Sequence, residues 1–175
     1  MLFRSINIKE KGNQISQRLT LPSLKDIEVE SFYYSSWIVS AIHVLISIDN
    51  YQTPSAIAQR LSIHEELVRG VLNRLKSFGL VTEKNGEWQV GHSHLHLSKN
   101  SPFQPMHQAN WKLLAIQNTQ LKSSGIHYCN VHSISQSDFR IVQEKMLKFI
   151  SELLETIKAS PAEKLATINL DYFEP

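Results

Sequence analysis

Hydrophobic and polar positions change rhythm several times along the chain. Leu2, Arg4, Ile6 and Ile8 step by two and predict one short strand, and Gly12 to Pro22 then reads as a polar connection. From about Ile27 the period lengthens. Tyr33, Trp37, Ala41, Val44, Leu45 and Ile48 recur three or four residues apart, the mark of a helix with one buried face, and Asp49-Asn50 ends it. Thr53-Pro54 opens a second helix. Threonine caps the free amides, and proline needs no amide hydrogen at the first position. Ala56, Ile57, Ala58 and Leu61 give that helix its apolar stripe, and Ser62-Ile63 turns the chain.

A third helix is predicted from His64 to Phe78. Leu67, Val68, Val71, Leu72, Leu75 and Phe78 lie on its inner face, and Gly79 stands where a left-handed residue ends a helix. Leu80 to Glu83 and Glu87 to Val90 then read as two strands joined through Asn85-Gly86, the strongest short hairpin signal. Helix, short helix, turn, longer helix and hairpin is the winged helix-turn-helix order.

His92 to Pro105 is polar and irregular, and Met106 to Leu121 predicts another helix carrying Trp111, Leu114 and Ala115. Past Gly125, Ile126 to Ile134 alternates like a strand, and Ser135 with Asp138 resembles a capping box. The helix so opened, Ser137 to Lys158, bears a wide stripe of Phe139, Val142, Met146, Phe149, Ile150, Leu153 and Ile157. Ser160-Pro161 breaks it. Leu165 to Phe173 alternates again, with Ala166, Ile168, Leu170 and Tyr172 on one face. Strand, long helix, strand predicts a right-handed crossover with two parallel strands under the helix. The expected fold class is therefore α+β, a winged helix-turn-helix followed by a small strand-helix-strand (α/β) unit. The boundaries expected are 1–26 for an N-terminal extension, 27–91 for the winged helix, 92–124 for a connecting segment and 125–175 for the last unit.

From about Ile27 onward the chain resembles a bacterial family of regulator-like proteins, the domain of unknown function 4423. The matching features are Ser31-Phe32-Tyr33-Tyr34, Phe78-Gly79-Leu80-Val81, Asn110-Trp111 and Thr167-Ile168-Asn169-Leu170. The resemblance implies transcription control. In that family the domain usually follows a repressor-type helix-turn-helix, for which the 26 residues before Ile27 are too few.

Composition narrows the function classes. With 175 residues, 42% hydrophobic and 19% charged, the chain is globular. It is long enough to bury about 70% of its unfolded surface. A single cysteine excludes an internal disulfide. The most apolar run, Trp37 to Ile48, is broken by Ser40, His43 and Ser47, and the N-terminus turns polar too early for a signal peptide, so a cytoplasmic protein is expected. The net charge is +2, and residues 31–91 carry five cations and five anions, no large electrostatic footprint for nucleic acid.

Candidate chemistry is sparse. In a major groove the third helix would offer Ser62, His64, Arg69, Asn73 and Arg74, with Lys84 and Asn85 near a phosphate. Glu65 and Glu66 favour the helix dipole there but repel phosphates, so the segment reads equally as a packing module or a surface for a partner regulator. His92, His94 and His96 would share one face of a strand and are weak candidates for a metal, with no carboxylate nearby to complete a hydrolytic zinc site. Cys129 lies between His127 and His132, but alternation puts His132 on the other face, so a buried structural cysteine is expected. No phosphate loop, nucleophile elbow or carboxylate pair is present. The expectation is a non-enzymatic regulator without a cofactor. It would bind double-stranded DNA weakly or with a partner's help, and form a homodimer through its C-terminal half. A small metal-dependent enzyme is the minor alternative.

Overall fold

The computed structural model describes residues 24–91, 101–121 and 125–175. The expected strand at Leu2–Ile8 and the three alternating histidines lie outside them. Among the described residues the order is α1 (Leu24–Tyr34), α2 (Trp37–Leu45), a 3-10 turn (Asp49–Tyr51), α3 (Pro54–Leu61), α4 (Glu65–Ser77), β1 (Val81–Lys84), β2 (Glu87–Val90), α5 (Gln104–Gln120) and α6 (Gln136–Ala159). This is an α+β arrangement with one two-stranded sheet.

The helix expected from Ile27 to Asp49 is two helices. Ser36 is extended (φ −151°, ψ 146°), and its hydroxyl accepts the Ile38 amide, starting α2 afresh. Apolar spacing runs straight through this break, so periodicity alone did not reveal it. α2 then packs against α1, α4 and α5, which buries it on nearly every side. The Thr53 hydroxyl accepts the Ala56 amide with Pro54 at the head of α3, as expected. Gly79, at φ 73°, and the pair Asn85 (φ 54°) and Gly86 (φ 83°) take the left-handed conformations that the end of α4 and a tight hairpin require. The strands pair antiparallel with Val81 opposite Val90 and Lys84 opposite Glu87.

The hydrophobic core is drawn from residues 29–88: Ile42 and Leu45 of α2, Ile57 of α3, Val68, Leu72 and Leu75 of α4, and Val81 and Trp88 of the hairpin. Each such aliphatic side chain contributes about 1.5–3 kcal/mol by leaving water. Leu67, placed by its spacing on the inner face, is instead 45% exposed, because the buried stripe of α4 is the narrower Val68, Val71, Leu72 and Leu75.

α5 closes over the junction of α1 and α2. The Asn110 side chain donates to the Tyr34 carbonyl at 2.9 Å, and Trp111 lies 6.2 Å from Trp37. The preceding aromatic run spreads in three directions: Phe32 to Phe78, Tyr33 to His43, and Tyr34 to His107.

The expected strand-helix-strand unit does not form. α6 is capped by Ser135, which accepts the Asp138 amide, and ends at an extended Ser160, both as expected. Ile126–Ile134 and Leu165–Phe173 are not strands. A strand exists only by hydrogen bonding to a neighbour, and the backbone of these segments bonds to no other segment among the described residues. The α6 stripe therefore does not cover a sheet, and none of its residues is fully buried. Residues 165–173 instead return along α6, bringing Tyr172 to within 4.6 Å of Phe139.

Leu72→Ala is expected to cost about 3 kcal/mol, while Leu67→Ala stays within about 0.5 kcal/mol. Urea unfolding followed by tryptophan fluorescence measures both.

Candidate functional site

The α3–α4–hairpin segment carries every described residue expected to meet a ligand. α3 ends at Ser62, held left-handed at φ 54° with its amide on the Ala58 and Gln59 carbonyls. Ile63 and His64 complete the turn. His64 is exposed and occupies the cap position of α4, but its side chain caps nothing. Glu65 and Glu66 fill the first turn of α4, and Arg74 and Lys76 its last, so charge follows the helix dipole at both ends.

Opposite the buried stripe of α4 runs an exposed one: Glu66, Arg69, Gly70, Asn73 and Ser77, spaced by three and four. Arg69 and Asn73 are thus brought onto one outward face. The Arg69 guanidinium donates through Nε and Nη2 to the same Glu65 oxygen, at 2.9 and 2.6 Å. Gly70 lies between them, and a methyl group there would meet nothing within 4 Å. Packing gives no reason for that glycine. The backbone of α4 is open to a close approach at this point.

Arg74 does not join this face. It reaches back to Glu28 on α1 and lies over the Phe78 ring, 4.7 Å from its centroid. No local pattern announces an ion pair across 46 positions of sequence. Lys76, which the sequence did not single out, leans the other way. It meets Glu83 of β1 at 2.9 Å and the Trp88 ring at 5.5 Å, tying α4 to the hairpin. Lys84 and Asn85 are exposed at the hairpin tip.

A buried imidazole sets the hairpin against the helices. Among the described histidines His43 alone is fully enclosed. Its Nε2 lies 3.1 Å from the carbonyl of Leu80, the residue before β1, and its Nδ1 lies 3.0 Å from the Tyr33 hydroxyl. A carbonyl only accepts, so Nε2 bears the proton and Nδ1 accepts from Tyr33. Burial, and then the neighbouring Tyr34, push the Tyr33 phenol well above its ordinary range, which keeps that donor protonated. Burial also holds His43 below the usual histidine value, against the smaller opposing effect of the Leu80 hydrogen bond.

The cysteine region departs from expectation. Cys129 is exposed rather than buried, because the segment around it has no sheet to enter. His127 faces Asn118 at 3.1 Å and His132 stacks 6.2 Å from Tyr172, so both imidazoles are engaged elsewhere. Among the described residues no three His, Cys, Asp or Glu side chains converge as metal ligands. Nor is any described helix long and apolar enough to cross a membrane.

The family model for a domain of unknown function, DUF4423, matches residues 10–174. The chain belongs to the DUF4423 family. The match begins upstream of Ile27, where the resemblance was first legible. No curated protein and no solved structure matches this DUF4423 chain. In the DUF4423 fold seen here, Tyr33, Tyr34, Asn110 and Trp111 join α1, α2 and α5, and Phe32 meets Phe78 at the end of α4.

Two outcomes follow from this geometry. Gly70→Ala should stabilise the fold by about 1 kcal/mol, since alanine favours a helix and nothing obstructs it, read as a raised urea midpoint. His43 binds fewer protons folded than unfolded, so stability is fully present above the unfolded pKa of about 6.5 and falls as pH drops below it. Urea midpoints between pH 7.5 and 5 should decline, and His43→Gln should flatten that slope.

Proposed function

We propose that residues 27–91 form a winged helix-turn-helix and that the protein is a non-enzymatic, transcription-regulator-like module touching duplex DNA weakly or with a partner's help. The supporting observation is the uncovered outward face of α4, where Arg69 and Asn73 flank an open Gly70, on the helix that precedes a hairpin bearing Lys84 and Asn85 at its tip. In this reading α4 lies in the major groove and the hairpin tip meets a phosphate.

Weakness follows from charge. Arg69, Arg74 and Lys76 are each paired with a carboxylate, and Glu65 and Glu66 stand at the leading end of α4. Such exposed pairs are worth at most about 1 kcal/mol and open readily, but opening them offsets part of any phosphate contact. The same pairing favours a second reading, in which α4 meets another protein. The half-exposed Leu67 is an apolar foothold for it.

Titration of a fluorescent mixed-sequence duplex at stepped salt tests the proposal. Weak binding at low salt is expected, with a log–log slope of about −2 to −4. Arg69→Ala should weaken it and flatten the slope by about one, whereas Glu65→Gln, which releases Arg69, should strengthen it several-fold. No binding at low salt rejects DNA and leaves the protein partner.

A further inference from the structure

Apolar surface is distributed unevenly along this chain. Among the described residues the buried hydrophobic ones run from Val29 to Trp88, whereas the exposed large hydrophobics, Ile27 and Leu67 excepted, lie at or beyond Leu113. α6 packs extensively against no described helix or strand. The segment before it is barer still, with Ile126, Tyr128 and Val131 at 99%, 85% and 94% exposure.

The C-terminal segment is strand-like without being a strand. α6 takes about 30 Å from Phe139 to its end, and the dozen residues after Ser160 cover that distance on the way back at about 2.5 Å each, most of the rise of a β-strand. Its side chains alternate as a strand's do. Asn169 and Asp171 turn to the Trp111 carbonyl and Lys112 of α5, while Leu170 and Tyr172 turn to Met146, Leu147 and Ile150 of α6 around a groove of about 350 Å³. Both faces find neighbours, but the backbone edges bond to no other described segment. Residues 126–134 pass close by, with His132 stacked near Tyr172, and no ladder joins the two. The Tyr172 hydroxyl is enclosed without a hydrogen-bond partner among the described residues.

We infer that a second copy of this chain covers the α6 stripe and pairs with residues 126–134 and 165–173 across a two-fold axis. The exposed large hydrophobics from Ile126 to Phe173 amount to on the order of 1,000 Å², comparable with the roughly 800 Å² that each partner gives a stable interface. A surface this apolar belongs to a permanent interface rather than to one that waits in water for a passing partner. A copy of the same chain is always at hand, brings the same two unpaired edges, and meets both copies' needs in one isologous contact. Two such segments alone make a poor sheet, but four make a stable one. The inference does not depend on whether α4 touches DNA.

Light scattering on the full chain over a micromolar dilution series, with hydrogen exchange on the same samples, decides it. The expected result is twice the chain mass, with amides of 126–134 and 165–173 exchanging at least tenfold more slowly in the dimer than after dilution. Val131→Lys with Phe149→Glu should give a monomer of unchanged helicity. Val131→Lys alone, at a position free of neighbours, gives the same answer should the pair disturb α6. A wild-type monomer overturns the proposal, including one whose 126–134 amides are protected by Leu2–Ile8 within the same chain. A dimer untouched by both variants overturns it as well.

Discussion

An imidazole inside an apolar core is tolerated only if both ring nitrogens are answered and the ring stays neutral. His43 meets that condition by drawing together a phenol from α1 and a carbonyl from the residue that leads into β1. Three parts of the molecule must therefore sit in register before α2 can be buried at all. The aliphatic packing of Ile42, Leu45, Leu72 and Leu75 supplies most of the favourable free energy, but it is indifferent to small slides of one helix on another. The hydrogen bonds of His43 are not. They fix where the hairpin hangs relative to α4, and thus the relation between the outward stripe and the hairpin tip.

Features written within a few residues of one another were legible in the sequence. Thr53-Pro54, Asn85-Gly86, Gly79 and the pair Ser135 and Asp138 each act over at most four positions, and each does in the structure what its local chemistry demands. What was hidden depends on distant partners. Alternation in Ile126–Ile134 and Leu165–Phe173 records side chains suited to two environments, yet a strand also needs a neighbouring backbone, on which alternation is silent. Exposure of Cys129 follows from the same gap. The break at Ser35-Ser36 went unseen because Tyr33 and Trp37 keep helical spacing across it.

The outward face of α4 was half legible. Periodicity places Arg69 and Asn73 together, because helical geometry alone decides that. It also offered Arg74 as a neighbour, and only the docking of α1 shows that this guanidinium is drawn away to Glu28. The hairpin, through Glu83 and Trp88, draws Lys76 the other way, so two cations close in sequence serve different neighbours. A stripe with one arginine, a glycine and an amide can make close and specific contacts, but it generates little field of its own.

The return of the last segment along α6 has a consequence in time. The stripe from Phe139 to Ile157 is complete as soon as α6 has been made, but the side chains of its own chain that shelter it, Leu170 and Tyr172, are added only afterwards. At translation rates of about 5–20 residues per second the helix waits seconds for that cover. The core of residues 29–88, by contrast, has all its fully buried side chains in hand before α5 is made, and α5 and Leu165 only add cover to it afterwards. A chain cut between Ile157 and Leu170 would thus carry its folded first half together with a last helix that has lost the cover of its own chain.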